Sequence, residues 1–204
     1  MAKVTGPLGG FDTSGSIAKT ITFSKWRGRN YVRQTVKPAN PNTIAQQGQR
    51  AIARLVSQNY TLLNPTDTAS WVLAGKGDNI TGLNAWLRDS AKRKPQDLAV
   101  RILATGSGGT VPGAPTLLTA TGGKGFATLA WTNSVVGTLY ATAIHQGATG
   151  FTPGPGNLIM LIRSTTATFT LTGLKPGTYF FRVRHSSETG LYGTSAAEAS
   201  AVVT

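Results

Sequence analysis

Between positions 16 and 37 the chain alternates apolar and polar residues with a period of two. Ile17, Lys19, Ile21 and Phe23 fall on one parity, with Ala18, Thr20 and Thr22 on the other. This is the pattern of a strand with two unlike faces. Trp26-Arg27-Gly28-Arg29-Asn30 is expected to turn the chain, since Gly28 tolerates a positive φ. Tyr31 to Val36 returns, with Val32 and Val36 on one face and Tyr31, Arg33 and Thr35 on the other. A β-hairpin over Ser16–Lys37 follows.

The period then changes. Pro38-Ala39-Asn40-Pro41-Asn42 breaks the strand, and Thr43 with Gln46 three residues on forms a capping box. Ile44, Gly48, Ala51, Ile52, Leu55 and Val56 recur at helical spacing. Asn64-Pro65 starts a second helix, with Asn64 as cap, Pro65 in the first turn, and Trp71 and Val72 as its apolar face. A third helix is predicted from Thr81 through Ala91, with Leu83, Trp86 and Leu87 inward. It ends at Lys92-Arg93-Lys94-Pro95, read as a solvated basic helix end.

Beyond position 112 the period of two returns in seven short segments. They are Thr116–Ala120, Ala127–Trp131, Leu139–Ile144, Leu158–Arg163, Thr168–Leu171, Thr178–His185 and Ala199–Val203. Seven short strands separated by turn signals predict a two-sheet sandwich. The Gly/Ser-rich stretch between the two regions reads as a linker. The expected division is a hairpin-plus-helices domain over 1–103, a linker over 104–111 and a sandwich over 112–204.

Charge sharpens this division. The net charge is +13, with 13 % of residues charged and 40 % hydrophobic. Residues 1–110 hold 15 cations against 5 acids, and residues 111–204 hold 5 against 2. The front half should therefore favour acidic partners or nucleic acid. There is no cysteine, so disulfides and thiolate metal sites are excluded. No cleavable leader and no run of about 18 apolar residues is seen. The chain is expected to be made in a cytoplasm and not to insert into a membrane.

The inventory of chemistry is thin. His145 and His185 fall on predicted strands, without a convergent ligand set, and read as strand-surface histidines. The seven acids form no close pair, and no nucleophile elbow or phosphate-cradling loop occurs. No enzyme activity and no cofactor are expected. The richest patch is Lys25, Trp26, Arg27, Arg29, Tyr31, Arg33 and Lys37. Such a patch can neutralise phosphates and stack on bases. It can equally pair with a neighbour's carboxylates through Arg forks anchored by aromatics.

Two stretches resemble known families. Pro112-Gly113-Ala114-Pro115 with Leu117, Ala127-Thr128-Leu129-Ala130-Trp131, and above all Thr170 to Arg184 (TLTGLKPGTYFFRVR) resemble a fibronectin type III domain. The resemblance implies a sandwich core of Trp131, Tyr179, Phe181 and Val183, with Tyr179 as a tyrosine corner. Phe180 is expected exposed, and the apolar run Leu158–Ile162 is expected to be an edge or an interface. The fold class is thus an α+β N-terminal domain followed by an all-β fibronectin type III/immunoglobulin-like sandwich. Residues 10–95 resemble a family of small virion structural proteins of tailed bacteriophages. The match lies in WRGRNYVRQ, VKPANPNT, the Gln/Arg-rich helix and Gly82-Leu83-Asn84-Ala85-Trp86-Leu87. This implies a virion component assembled in the host cytoplasm, a capsid decoration protein or a tail or neck protein. Its implied partners are the major capsid protein or tail proteins, further copies of itself, and a host-surface glycan. Nucleic acid is the competing partner.

Overall fold

The computed structural model describes residues 2–3, 15–17, 20–27, 29–35, 42–104, 109–163 and 166–204. The chain divides into two compact units, Met1–Pro41 and Asn42–Thr204. This differs from the expected division, which assigned the helices to the N-terminal domain.

The first unit is a four-stranded antiparallel sheet in the order β1-β4-β3-β2. Its strands are β1 (Ala2–Lys3), β2 (Gly15–Ile17), β3 (Ile21–Trp26) and β4 (Arg29–Gln34). The hairpin is tighter than expected. Trp26 pairs with Arg29, so the loop is only Arg27-Gly28. Arg27 takes a left-handed φ of 49°, as the first position of a two-residue hairpin loop with the right twist requires.

The second unit has two buried layers. Helices α1 (Ile44–Asn59), α2 (Pro65–Lys76) and α3 (Gly82–Arg93) are each capped by a side-chain oxygen. Thr43 accepts from Gln46 N, Asn64 from Asp67 N and Thr81 from Asn84 N, satisfying otherwise orphaned amides. The sandwich follows. Strands β5 (Thr116–Gly123), β6 (Phe126–Thr132) and β9 (Thr168–Thr172) form one sheet in the order β5-β6-β9. The other runs β8 (Leu158–Arg163), β7 (Leu139–Gly147), β10 (Gly177–Ser187). Its last strand is split, with β11 (Tyr192–Ser195) and β12 (Ala199–Val203) both pairing with β10. Counted from β5, the first, second and fifth strands face the fourth, third, sixth and seventh, the fibronectin type III arrangement.

Between the sheets lie Leu129, Trp131, Ile144, Ile159, Phe181, Val183 and Val203. Trp131 is 5 % exposed, and Phe181 and Val183 are fully buried. Tyr179 is half-buried and donates its hydroxyl to Lys175 O at 3.0 Å, closing the tyrosine corner. Phe180 is half-buried rather than exposed.

The second layer accounts for the altered division. Ala141, Ala143, Leu158 and Leu161 on the larger sheet join one core with Ala51, Ile52, Leu55, Val56, Trp71 and Trp86 of the helices. A helix buries its apolar stripe against whatever apolar surface is available. Here that surface is the outer face of β7 and β8. The apolar run of β8 is thus an edge strand with a helical cover. Val72 is half-exposed at 53 %, so α2 turns only Trp71 inward.

Polar ties hold the helices in place. Trp71 Nε1 donates to Ile102 O, and Trp86 Nε1 donates to Arg101 O. Arg184 of β10 binds Asp97 at 2.8 Å, and Arg101 binds Asp89 at 2.8 Å. The basic helix end is solvated at Lys92 but not beyond it. Arg93 donates to Ala99 O and Gly190 O, and buried Lys94 donates to Ala45 O. Burial holds both cations below their usual pKa.

Helix α1 meets β8 at Gly48. A Cβ there would lie 2.7 Å from Leu158 O, with backbone that cannot step aside. Gly48→Val is expected to destabilise the fold by about 1–3 kcal/mol, read as a lower urea midpoint. An unchanged midpoint would refute this packing.

Candidate interaction surfaces

The register of the first unit sorts the basic cluster. Pairs across β3 and β4 are Thr22↔Arg33, Phe23↔Val32, Ser24↔Tyr31, Lys25↔Asn30 and Trp26↔Arg29. Opposed residues share a face. Thr22, Ser24, Tyr31 and Arg33 therefore share one face, and the Trp26↔Arg29 backbone pair stands at the same parity of the register. β1 adds Lys3, which pairs with Tyr31. The other face carries Ile21, Phe23 and Val32, with Ile17 at the same parity of the register by the Ile17↔Ile21 pair.

The seven candidates are thus divided. Tyr31 and Arg33 share a face, and Trp26 and Arg29 pair at the same parity of the backbone register. Lys25 falls on the apolar face, exposed at its end, and Arg27 sits exposed in the loop. Lys37 lies outside the described residues, as does Val36. Lys3 was missed because two residues of strand carry no periodic signal. The unit concentrates charge: by sequence, Met1–Pro41 holds seven cations against one acid, for +6, and Asn42–Thr204 holds thirteen against six, for +7.

Neither histidine is on the surface. His145 is 1 % and His185 0 % exposed. His145 of β7 shares its face with Ala141 and Ala143 under the helices, and His185 of β10 shares its face with Phe181 and Val183 between the sheets. Burial pushes His145 down to about 4, assisted by Arg184 and opposed by its hydrogen bond to Asn157 and by Asp97. Burial also pushes His185 down to about 4. Ser134 N donates to His185 Nε2 at 3.3 Å. That nitrogen is therefore an acceptor, and Nδ1 carries the proton toward Thr142 Oγ1 at 3.0 Å. Both imidazoles are neutral structural groups.

A second surface is a cleft of about 370 Å³ in the larger unit, bounded by the start of α2, the ends of β7 and β8, and the β10–β11 turn. Tyr140, Asp67, Arg163 and Glu188 line it. No sequence motif joins these residues. The signal available in the sequence was the scarcity of acids, which makes any unpaired one informative. No helix among the described residues is long and apolar enough to cross a membrane.

No family model matches the chain, and no curated protein matches it. Solved structures match the sandwich region. A β-1,2-glucanase from Parabacteroides distasonis aligns at 15 % identity and TM-score 0.42, over 50 % of this chain and 14 % of the enzyme. A Fn3-like protein from Clostridium thermocellum aligns at 22 % identity and TM-score 0.39, over 46 % and 95 %. The FN5 domain of Drosophila Lar aligns at 22 % identity and TM-score 0.34, over 46 % and 97 %. The chain thus spans a small part of the glucanase and nearly all of the two fibronectin-like domains. The sandwich is assigned on its own strand order: it is a fibronectin type III-like domain, roofed by helices.

Proposed function

We propose that the chain is a non-enzymatic structural protein of a tailed-bacteriophage virion, a capsid decoration or cement protein. The Met1–Pro41 unit anchors it, and the roofed sandwich is displayed. The observation that carries this reading is the backbone register that sets Lys3, Trp26, Arg29, Tyr31 and Arg33 at one parity of a small sheet. Arginine forks and aromatic anchors are what a docking face uses against carboxylates. An acidic capsid shell suits a unit of +6, which favours the capsid over a tail or neck position. The resemblance of residues 10–95 to small virion proteins supplies the setting. The partners are then the major capsid protein or tail proteins, with copies arrayed by the symmetry of the particle.

Mass spectrometry of purified virions tests this. The chain is expected in the particles, and the double variant Arg29→Glu, Arg33→Glu is expected to lose at least about tenfold in incorporation, the scale of one or two lost charge-assisted pairs. Particles without the chain, or charge reversal without effect, would sink the proposal.

The same face favours nucleic acid as a second reading. Lys3, Arg29 and Arg33 on phosphates would give a slope of about −3 in log affinity against log salt. The full chain is the right reagent, since the helices fold onto the sandwich. No duplex or single-strand binding at about 50 mM salt would remove this reading.

A further inference from the structure

We infer that the cleft between the start of α2 and the β10–β11 turn binds a small neutral polyhydroxyl compound, a mono- or disaccharide. The inference stands independently of the virion reading.

Pairing of the acids comes first. The chain has seven, of which Asp12 lies outside the described residues. Four of the other six are matched to arginines: Asp78 to Arg88, Asp89 to Arg101, Asp97 to Arg184 and Glu198 to Arg182. The remaining two, Asp67 and Glu188, form no ion pair among the described residues, and both line this cleft. Arg163 lines it as well, also without an ion pair there. In a chain of +13 with arginines to spare, two acids left unmatched beside one arginine call for an explanation. Asp67 lies in the first turn of α2, where an acid is favoured anyway. Glu188 has no such helical role.

Tyr140 is the second, independent observation. It is 4 % exposed, forms part of the cleft wall, and its hydroxyl has no hydrogen-bond partner. A buried hydroxyl left unpaired is costly and uncommon. Burial pushes this phenol up to about 12, with nearby Arg163 pulling it down and Glu188 pushing it up. It remains a donor at neutral pH.

The mixture of groups selects the ligand. An anion would meet Asp67 and Glu188. A cation would lie beside Arg163 and leave the donors of Arg163 and Tyr140 unanswered. A polyol offers a donor and an acceptor at each carbon. Its hydroxyls can donate to the two carboxylates and accept from the guanidinium and the phenol. Leu62 and Ile102 supply apolar wall for the ring's C–H face. The volume lies at the lower end of the roughly 300–1,000 Å³ of small-molecule sites, matching one or two sugar rings.

The test is an amide-resolved NMR titration of the full chain with D-glucose, D-galactose, N-acetyl-D-glucosamine, cellobiose and lactose. Putrescine and inorganic phosphate serve as the cationic and anionic arms. At least one saccharide is expected to give saturable shifts at Tyr140, Arg163 and Glu188, with a dissociation constant on the order of millimolar. Tyr140→Phe is expected to weaken that binding about five- to tenfold. Without sugar, its melting temperature should be equal or higher, because the orphan hydroxyl is gone. Glu188→Gln should also weaken binding. No saturable shift from any saccharide up to about 100 mM, shifts with putrescine or phosphate alone, or Tyr140→Phe binding as tightly as the parent would each overturn the inference.

Discussion

A fragment spanning residues 112–204 is expected to lose its cooperative fold, while one spanning 42–204 is expected to keep it. The Gly/Ser stretch before position 112 invites the opposite construction, since composition marks it as a linker. Its ends are tied, however. Ile102 N donates to Glu188 O, Ala104 N to Ser70 Oγ, and Gly113 N to Val136 O. More important, the outer face of the larger sheet is core. Tyr140, Leu158 and Leu161 lie at 4 %, 2 % and 3 % exposure within the layer shared with the helices. Full burial of one such side chain contributes about 1.5–3 kcal/mol. Baring all three therefore costs roughly 5–9 kcal/mol, comparable to the whole stability of a typical domain. Removal of Asp97 would also leave the partly buried Arg184 without its carboxylate. Urea unfolding followed by tryptophan fluorescence and far-UV circular dichroism decides the matter. A 112–204 fragment with the same midpoint and cooperativity as 42–204 would show that the helices are dispensable to the sandwich.

What the sequence made legible follows the range of the interactions involved. The three helix caps and the tyrosine corner each close within four residues, so their partners stand beside them in the sequence. Seven of the eight sandwich strands were legible because alternation and turns are local, while the short β11 (Tyr192–Ser195) was missed. The destination of the helices was not. The periodic stripe of α1 says that something covers it, not what. The cover is the apolar run of β8 with β7 beside it, and in β7 Tyr140-Ala-Thr-Ala-Ile-His145 reads as an ordinary half-exposed strand. Ala141 and Ala143 are small because helices lie on them, and small residues carry little hydrophobic signal. The same omission misplaced His145 and the Arg93–Lys94 pair, whereas His185 is buried between the sheets beside Val183. In the basic cluster, residue types were legible but parity was not, because one residue of turn length decides which face each side chain takes. The cleft joins residues from several elements and could only be seen once the acids had been matched to their arginines.

Stability is expected to fall by roughly 5 kcal/mol between pH 7 and pH 4.5, and the two buried histidines are the cause. An unfolded imidazole takes its proton near pH 6.5. In the folded chain both His145 and His185 wait until about pH 4. Between these values the unfolded state binds more protons, so each histidine removes about 1.4 kcal/mol per pH unit as the pH drops. Above pH 6.5 neither has any effect. The physical obstacles differ. Protonating His185 forces a proton onto the Nε2 that accepts from Ser134 N. Protonating His145 adds a cation near Arg184 beneath the helical roof, where Asp97 is already committed to that arginine. The chosen window stays above the usual carboxylate range, so the matched aspartates contribute little to the slope. Equilibrium urea unfolding at pH 7.0, 6.0, 5.0 and 4.5 measures it. His145→Gln and His185→Gln are each expected to remove about half of the pH dependence, whatever they do to stability at pH 7. An unfolding free energy that stays level from pH 7 to 4.5 would mean that both histidines are hydrated in the folded chain.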